Sequence, residues 1–219
     1  MKLLYIVRNA FETIMDAILP LRQRSQRTKG RTLEDIPLAP TAHELLRERI
    51  TTLMDYQNGA VQDLIRSLKY DGSAYAASLA AALLADYLQE EISSEKAFST
   101  KKILLVPVPL HEARTRERGY NQIELVLQAL PEEFRDGTHA HLAVNVLART
   151  RETKPQTRLS RSERLSNVAG AFTAEAQKMP KTHIYLIDDV TTTGATLVNA
   201  ATPLRRAGAE VTLLALARA

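Results

Sequence analysis

Ile184-Tyr185-Leu186-Ile187 runs straight into two adjacent carboxylates, Asp188 and Asp189, and Val190-Thr191-Thr192-Thr193-Gly194-Ala195-Thr196 follows. No other passage restricts the fold of this chain so tightly. An unbroken apolar run suits a strand buried on both faces, which is the pattern of a parallel sheet covered by helices. The acids then sit at the strand's C-terminal tip, where open α/β sheets bind their ligands. The threonines and Gly194 form a polar turn leading into an apolar-periodic segment, which places hydroxyls and backbone N–H groups at a helix N-terminus. Acids beside such a turn suit a sugar phosphate: the carboxylates for ribose hydroxyls or a hydrated Mg²⁺, the turn for the phosphate.

The rest of the second half is consistent with that sheet. Ile103-Leu104-Leu105-Val106-Pro107-Val108 reads as a second doubly buried strand, and Ile123, Val126, Leu127 and Leu130 mark one face of a helix. Leu142 to Leu147 reads as a further strand, followed by a polar, basic stretch from Arg149 to Gly170 without a hydrophobic period. A loop of that length inside a compact domain suggests a lid or a disordered segment, and its Arg and Lys content fits a lid closing on an anion. Leu197, Ala200, Ala201 and Leu204 give the next helix face, Gly208 a C-terminal stop, and Val211 to Leu216 a final strand. The order strand–helix–strand–loop–strand–helix–strand predicts a doubly wound parallel sheet. Pro203 conflicts with its helix and predicts a kink near Asn199 or an early helix end.

The first half reads as helical. Residues 1–20 suggest a short covering helix, and 21–41 a basic, proline-containing linker. From about Thr41 to Arg66 the pattern turns helical, with Val61, Leu64, Ile65 and Leu68 on one face. Asp71-Gly72-Ser73 breaks that helix, and Ser73 is placed to cap a second one running to about Ile92.

Composition sharpens the function classes. The chain has no cysteine, which excludes disulfides, thiol nucleophiles and Cys-built zinc sites. His139 and His141 form an isolated pair and do not replace such a site. No run of about 18 apolar residues occurs, and Arg8 and Asn9 interrupt the first apolar run too early for a signal peptide, so a cytoplasmic protein is expected. The net charge of +4 is unevenly placed. Arg22, Arg24, Arg27, Lys29 and Arg31 form one basic run; Arg149, Arg151, Lys154, Arg158, Arg161 and Arg164 form another, which suits a polyanionic ligand. No G-x-x-x-x-G-K-[ST] accompanies the acidic strand and no G-x-G occurs, so neither a Walker nor a Rossmann site is present.

The passage 184–196 resembles the 5-phosphoribosyl-1-diphosphate (PRPP) signature of type I phosphoribosyltransferases. Further segments narrow the resemblance to the ComF/GntX family of DNA-uptake (competence) proteins. They are Val106-Pro107-Val108-Pro109-Leu110-His111, Arg116-Glu117-Arg118-Gly119-Tyr120-Asn121-Gln122, and Arg164-Leu165-Ser166-Asn167-Val168-Ala169-Gly170-Ala171-Phe172. Tyr56-Gln57-Asn58-Gly59-Ala60-Val61 and Leu68-Lys69-Tyr70 belong with them. The resemblance implies an α/β, type I phosphoribosyltransferase-like parallel sheet flanked by helices, occupying residues 42–219. Residues 1–41 supply a small helical segment and basic linker where the family commonly carries a four-cysteine zinc module.

By the same resemblance, Asp188 and Asp189 are the catalytic pair, holding the ribose hydroxyls and, through water, Mg²⁺. Val190, Thr191, Thr192, Thr193, Gly194, Ala195 and Thr196 wrap the 5-phosphate. Val108 and Pro109 form the pyrophosphate turn, with Arg118 beside it, and Lys154, Arg161 and Arg164 lie on a flexible hood at about 149–170. Lys69 is a further candidate phosphate contact, although a lysine there also suits a helix C-terminus. Purine-salvage relatives place an acidic base three residues beyond the pair; Thr192 stands there in this chain. Two functions remain open: Mg²⁺-dependent phosphoribosyl transfer linked to DNA uptake, or PRPP or nucleotide binding without turnover. The implied partners are PRPP, single-stranded DNA or DNA-processing proteins, and a second copy of the chain in a homodimer.

Overall fold

A computed structural model describes residues 23–150, 170–174 and 178–219. The hood candidates Lys154, Arg161 and Arg164, and the segment 1–20, lie outside these residues. The framework is a six-stranded sheet in the order β1-β2-β8-β7-β3-β4. Its strands are β1 (Thr41–Leu45), β2 (Glu48–Asp55), β3 (Lys102–Pro107), β4 (His141–Leu142), β7 (Thr182–Thr191) and β8 (Glu210–Arg218). All neighbours are parallel except the hairpin β1–β2. A separate antiparallel pair joins β5 (Leu147–Arg149) to β6 (Phe172–Ala174).

Helices cover both faces, because alternate residues of each strand point opposite ways. Tyr185 and Ile187 of β7 enter one core, packed by α2 (Gly59–Asp71), α3 (Ala74–Lys96) and α5 (Gln122–Gln128). Ile184 and Leu186 enter the other, packed by α6 (Ala195–Arg206) with Phe172 of β6. The expected helix faces fold as read. Val61, Leu64, Ile65 and Leu68 are fully buried, Gly72 ends α2 in the left-handed region, and Ser73 Oγ accepts from Ala76 N.

Several expectations need correction. The helical reading of 41–66 fails over its first half, where β1 and β2 form a hairpin instead. Its two-residue turn, Leu46-Arg47, takes φ of 56° and 63° without the Gly or Asn that marks such a turn. Docking explains the choice: β2 pairs in parallel with β8 and buries Ile50, Leu53 and Met54. The strand expected at 142–147 is split, with β4 in the main sheet and β5 in the small one. Within the stretch read as linker lies α1 (Gln23–Lys29), seated on α2 by Ser25 Oγ donating to Asp71 (2.6 Å) and by Thr28 meeting Ser67 (3.0 Å). The early end expected at Pro203 is not taken, and α6 runs through it to Arg206. A further short helix, α4 (Glu112–Arg118), follows the turn after β3.

At the sheet's far end, Glu95 of α3 ties down β7 and, through His183, β8. Its carboxylate pairs with His183 Nδ1 and accepts from Tyr185 Oη at 3.2 Å. His183 stacks on Tyr185 with ring centroids 4.9 Å apart, and its Nε2 meets Thr212 Oγ1 at 2.8 Å. Burial, reinforced by Glu95, pushes the Tyr185 hydroxyl upward in pKa, so it stays a donor. Glu95→Ala leaves a buried ring nitrogen and a buried hydroxyl without their shared acceptor. The expected loss is about 2 kcal/mol in chemical denaturation; an unchanged midpoint would show that water substitutes there.

Candidate functional site

The strand β7 continues past its apolar run, so Asp188 and Asp189 sit inside it and project to opposite faces. Asp189 faces α2 and α5 and is only 6% exposed. Its Oδ1 pairs with Lys69 Nζ at 3.0 Å and also accepts from Val190 N, while Oδ2 accepts from Gln122 Nε2. Lys69 reaches it from the last turn of α2. Burial alone would lower the Lys69 pKa; the Asp189 carboxylate, helped by Asp188, more than offsets that and holds it above the ordinary value.

Asp188 faces the α6 side and is half-buried. Its Oδ1 accepts from Asp189 N at 2.9 Å. Burial, then repulsion from Asp189, push its carboxyl up to about 7, against the pull of Lys69 and Arg149. Arg149 ends β5 with its guanidinium 5.3 Å from the Phe172 ring centroid. Burial lowers its pKa, Arg114 adds like-charge repulsion and Asp188 opposes both. The Arg149 guanidinium therefore bears on Asp188 at the strand tip.

The turn after β3 is held from both sides. Val108 N donates to Ile187 O at 2.8 Å, and Asn121 Nδ2 donates to Val108 O at 3.0 Å. Asn121 also caps α5, its Oδ1 accepting from Ile123 N at 3.0 Å. Arg118 donates to Gln122 and lies over the Tyr70 ring, 5.9 Å from its centroid. A connected polar chain thus links Arg118, Gln122, Asp189 and Lys69. A cleft of about 390 Å³ opens behind the turn, lined by Pro109, Tyr120, Asn121 and Glu124; neither acid lines it.

The threonine turn is shorter than its sequence suggests. Thr191 is buried in β7, its carbonyl accepting from Ala219 N at 3.0 Å. Thr192, Thr193 and Gly194 form the turn, and Ala195 and Thr196 already belong to α6. Gly194, at φ 78°, is the residue before the helix, and Thr193 Oγ1 lies 3.4 Å from Ala195 N.

The structure therefore brings Asp188, Asp189, Val190, Lys69, Arg118, Val108, Pro109 and the threonine turn to one end of the sheet. Gln122 and Arg149 join them and were not singled out from the sequence as contacts. Gln122 lies in the quoted Arg116–Gln122 segment, where its position directly after a capping asparagine was the available signal. For Mg²⁺ the fit is partial. Among the described residues no group of three or more His, Cys, Asp or Glu side chains could hold a metal. Asp189 is committed to Lys69, so Asp188 is the residue that would meet a hydrated ion carried in on ligand phosphates.

No family model matches the chain. Competence protein ComFC of Streptococcus pneumoniae is 32% identical over 153 residues, 70% of this chain and 60% of that protein. Competence protein F of Haemophilus influenzae is 36% identical over 118 residues, 52% of this chain and 50% of its own length. DNA utilization protein YhgH of Escherichia coli is 32% identical over 163 residues, 74% of this chain and 68% of its own. The matches thus span half to two thirds of these relatives. Among solved structures, a phosphoribosyltransferase from Corynebacterium diphtheriae overlaps 88% of the chain and 81% of its own at 15% identity, with a TM-score of 0.35. That overlap adds no weight to the sequence matches.

Proposed function

The chain belongs to the ComF family, with a type I phosphoribosyltransferase-like α/β fold, and from that premise we propose that it binds PRPP and transfers its phosphoribosyl group in the service of DNA uptake. The observation that carries this reading is the half-buried Asp188 carboxylate beside a threonine turn at a helix N-terminus. Asp188 accepts hydrogen bonds from the ribose hydroxyls. The Thr192–Gly194 turn and the first N–H groups of α6 receive the 5-phosphate. The Val108-Pro109 turn, Arg118 and Arg149 face the pyrophosphate, and Lys154, Arg161 and Arg164 are further proposed contacts. Mg²⁺, when bound, would neutralise pyrophosphate oxygens.

Cleavage of the C1–pyrophosphate bond passes through an oxocarbenium-like state, so the protein's work is to hold the sugar still and stabilise the departing anion. Fixed cations at the strand tips suit that role. The competence and DNA-utilization names of the relatives support a place in DNA uptake or handling. Of the basic side chains Arg22, Arg24 and Arg27, Arg27 is described, and it is exposed on α1. One observation favours the alternative of binding without turnover: Thr192 occupies the position of the purine-salvage base.

Calorimetric titration with PRPP, followed by pyrophosphate release assays with a panel of bases and with single-stranded DNA, tests the proposal. Saturable binding with release for one acceptor is expected. Binding with no release for any acceptor leaves the non-catalytic reading; absence of PRPP binding rejects the transferase, and absence of nucleotide binding as well rejects both.

A further inference from the structure

Tyr70, Tyr75 and Phe98 are the exposed tyrosines and phenylalanine among the described residues. Two of them stand apart from the strand-tip site or have another duty. Tyr75 donates its hydroxyl to Arg31 O at 2.6 Å. Phe98 follows α3, whose Glu95 meets the opposite end of β7. Tyr70 is 58% exposed and comes directly after Lys69, whose ammonium reaches Asp189, so the ring stands at the rim of the site.

Its position is fixed although its surface is open. Arg118 lies over the ring and is itself anchored by its bond to Gln122, a side chain 4% exposed. The helix end beneath Tyr70 is pinned as well: a Cβ on Gly72 would lie 2.9 Å from Tyr120 Cε1, so the α2 terminus rests against the Tyr120 ring. Around Tyr70 the exposed surface is basic in two further places, at Arg66 one turn earlier on α2 and at Arg116 on α4. A stiffened, open ring among arginines offers a π-face to a base and cations to the phosphates on either side of it.

We infer that Tyr70 is a stacking platform for a nucleobase, with Arg118 on one face of the ring and the base on the other. Arg66 and Arg116 favour a base that brings phosphates with it, in a single strand of nucleic acid, over a free nucleoside. That such a strand is DNA delivered to the neighbouring site rests on the function proposed above; the stacking does not.

The test compares a labelled oligothymidine with an abasic strand of the same length, by fluorescence anisotropy at one fixed salt concentration. Wild type should bind the base-bearing strand about tenfold more tightly. Tyr70→Ala should lose that preference while its affinity for the abasic strand stays unchanged, and Tyr70→Trp should keep it. Tyr70→Leu, which retains apolar bulk and helix propensity, should behave as alanine does, so a fault in folding of one variant does not decide the result. Quenching of 2-aminopurine distinguishes the sources of the base: quenching within a strand alone assigns a nucleic acid, and Tyr70-dependent quenching of the free riboside assigns a nucleoside as well. Equal affinity of wild type for both strands without riboside quenching overturns the inference, as does a preference that survives in Tyr70→Ala and Tyr70→Leu. Calorimetric PRPP titration of wild type keeps the two readings apart. A chain that binds no PRPP but prefers the base-bearing strand loses the transferase and keeps the platform, and one that binds PRPP without that preference does the reverse.

Discussion

Asp188→Asn is expected to weaken PRPP binding by about tenfold to a hundredfold, the worth of charge-assisted hydrogen bonds to the sugar hydroxyls. The same change should leave the ligand-free protein as stable as wild type or slightly more so. Burial and the neighbouring Asp189 already push the Asp188 carboxyl up to about 7, so its charge destabilises the ligand-free protein. Asparagine keeps the shape and removes the repulsion. The partner substitution has the opposite signature. Asp189→Asn strips Lys69 of its counter-charge at 3.0 Å and weakens the acceptor for Gln122. A broken ion pair of this kind costs a few kcal/mol when fully buried; with Lys69 a quarter exposed, about 2 kcal/mol is expected. Calorimetric PRPP titration and thermal melts of the two variants side by side check the pair of predictions. If Asp188→Asn melts early and binds normally, the assignment of ligand contact to Asp188 and of structural pairing to Asp189 is reversed.

That inequality of the two acids marks where sequence reading ends. The apolar run, the acids and the glycine before the helix announce themselves because each reflects a local rule: burial on both faces, a strand tip, a positive φ. Asn121 and Ser73 act as caps for the same reason, through bonds within three residues of themselves. The pairing of Lys69 with Asp189 joins residues far apart in the chain, and depends on the C-terminus of α2 lying over the tip of β7. The family resemblance marks Lys69, but nothing in its local chemistry tells a partner of Asp189 from a lysine placed at a helix end. Gln122 is similar, since its value lies in being 4% exposed between Arg118 and Asp189. The β1–β2 hairpin was illegible for another reason. Glu44, Leu45, Leu46, Arg47 and Glu48 are good helix formers, and their preference of a few tenths of a kcal/mol each yields to the pairing of β2 with β8.

The hairpin and the threonine turn meet at Gly194, and substitution there should have a larger structural effect than substitution of either acid. Gly194 sits at φ 78°, and a Cβ placed on it would lie 2.6 Å from Ile50 Cδ1 and 3.1 Å from Leu45 Cβ. Two costs therefore add. A non-glycine residue held in the left-handed region costs about 1 kcal/mol or more, and the contact forces β2 or its side chains away from α6. For Gly194→Val the expected total is about 3 kcal/mol or more, a fall in melting temperature of about 10 °C for a chain of this size. Ligand binding should fall with it, because the turn proposed to receive the 5-phosphate must move to clear Ile50. Shortening Ile50 separates the terms. In a Gly194→Ala background, Ile50→Val removes one of the methyl groups in the way and should recover the steric part, leaving the backbone part unrecovered. Additive effects of these two substitutions in a double-mutant cycle would remove the contact from the account and leave backbone conformation alone as the reason for glycine. A negative coupling, in which Ile50→Val costs less beside alanine than beside glycine, is the expected result. It would tie the edge hairpin, the part of the fold least visible in the sequence, directly to the threonine turn.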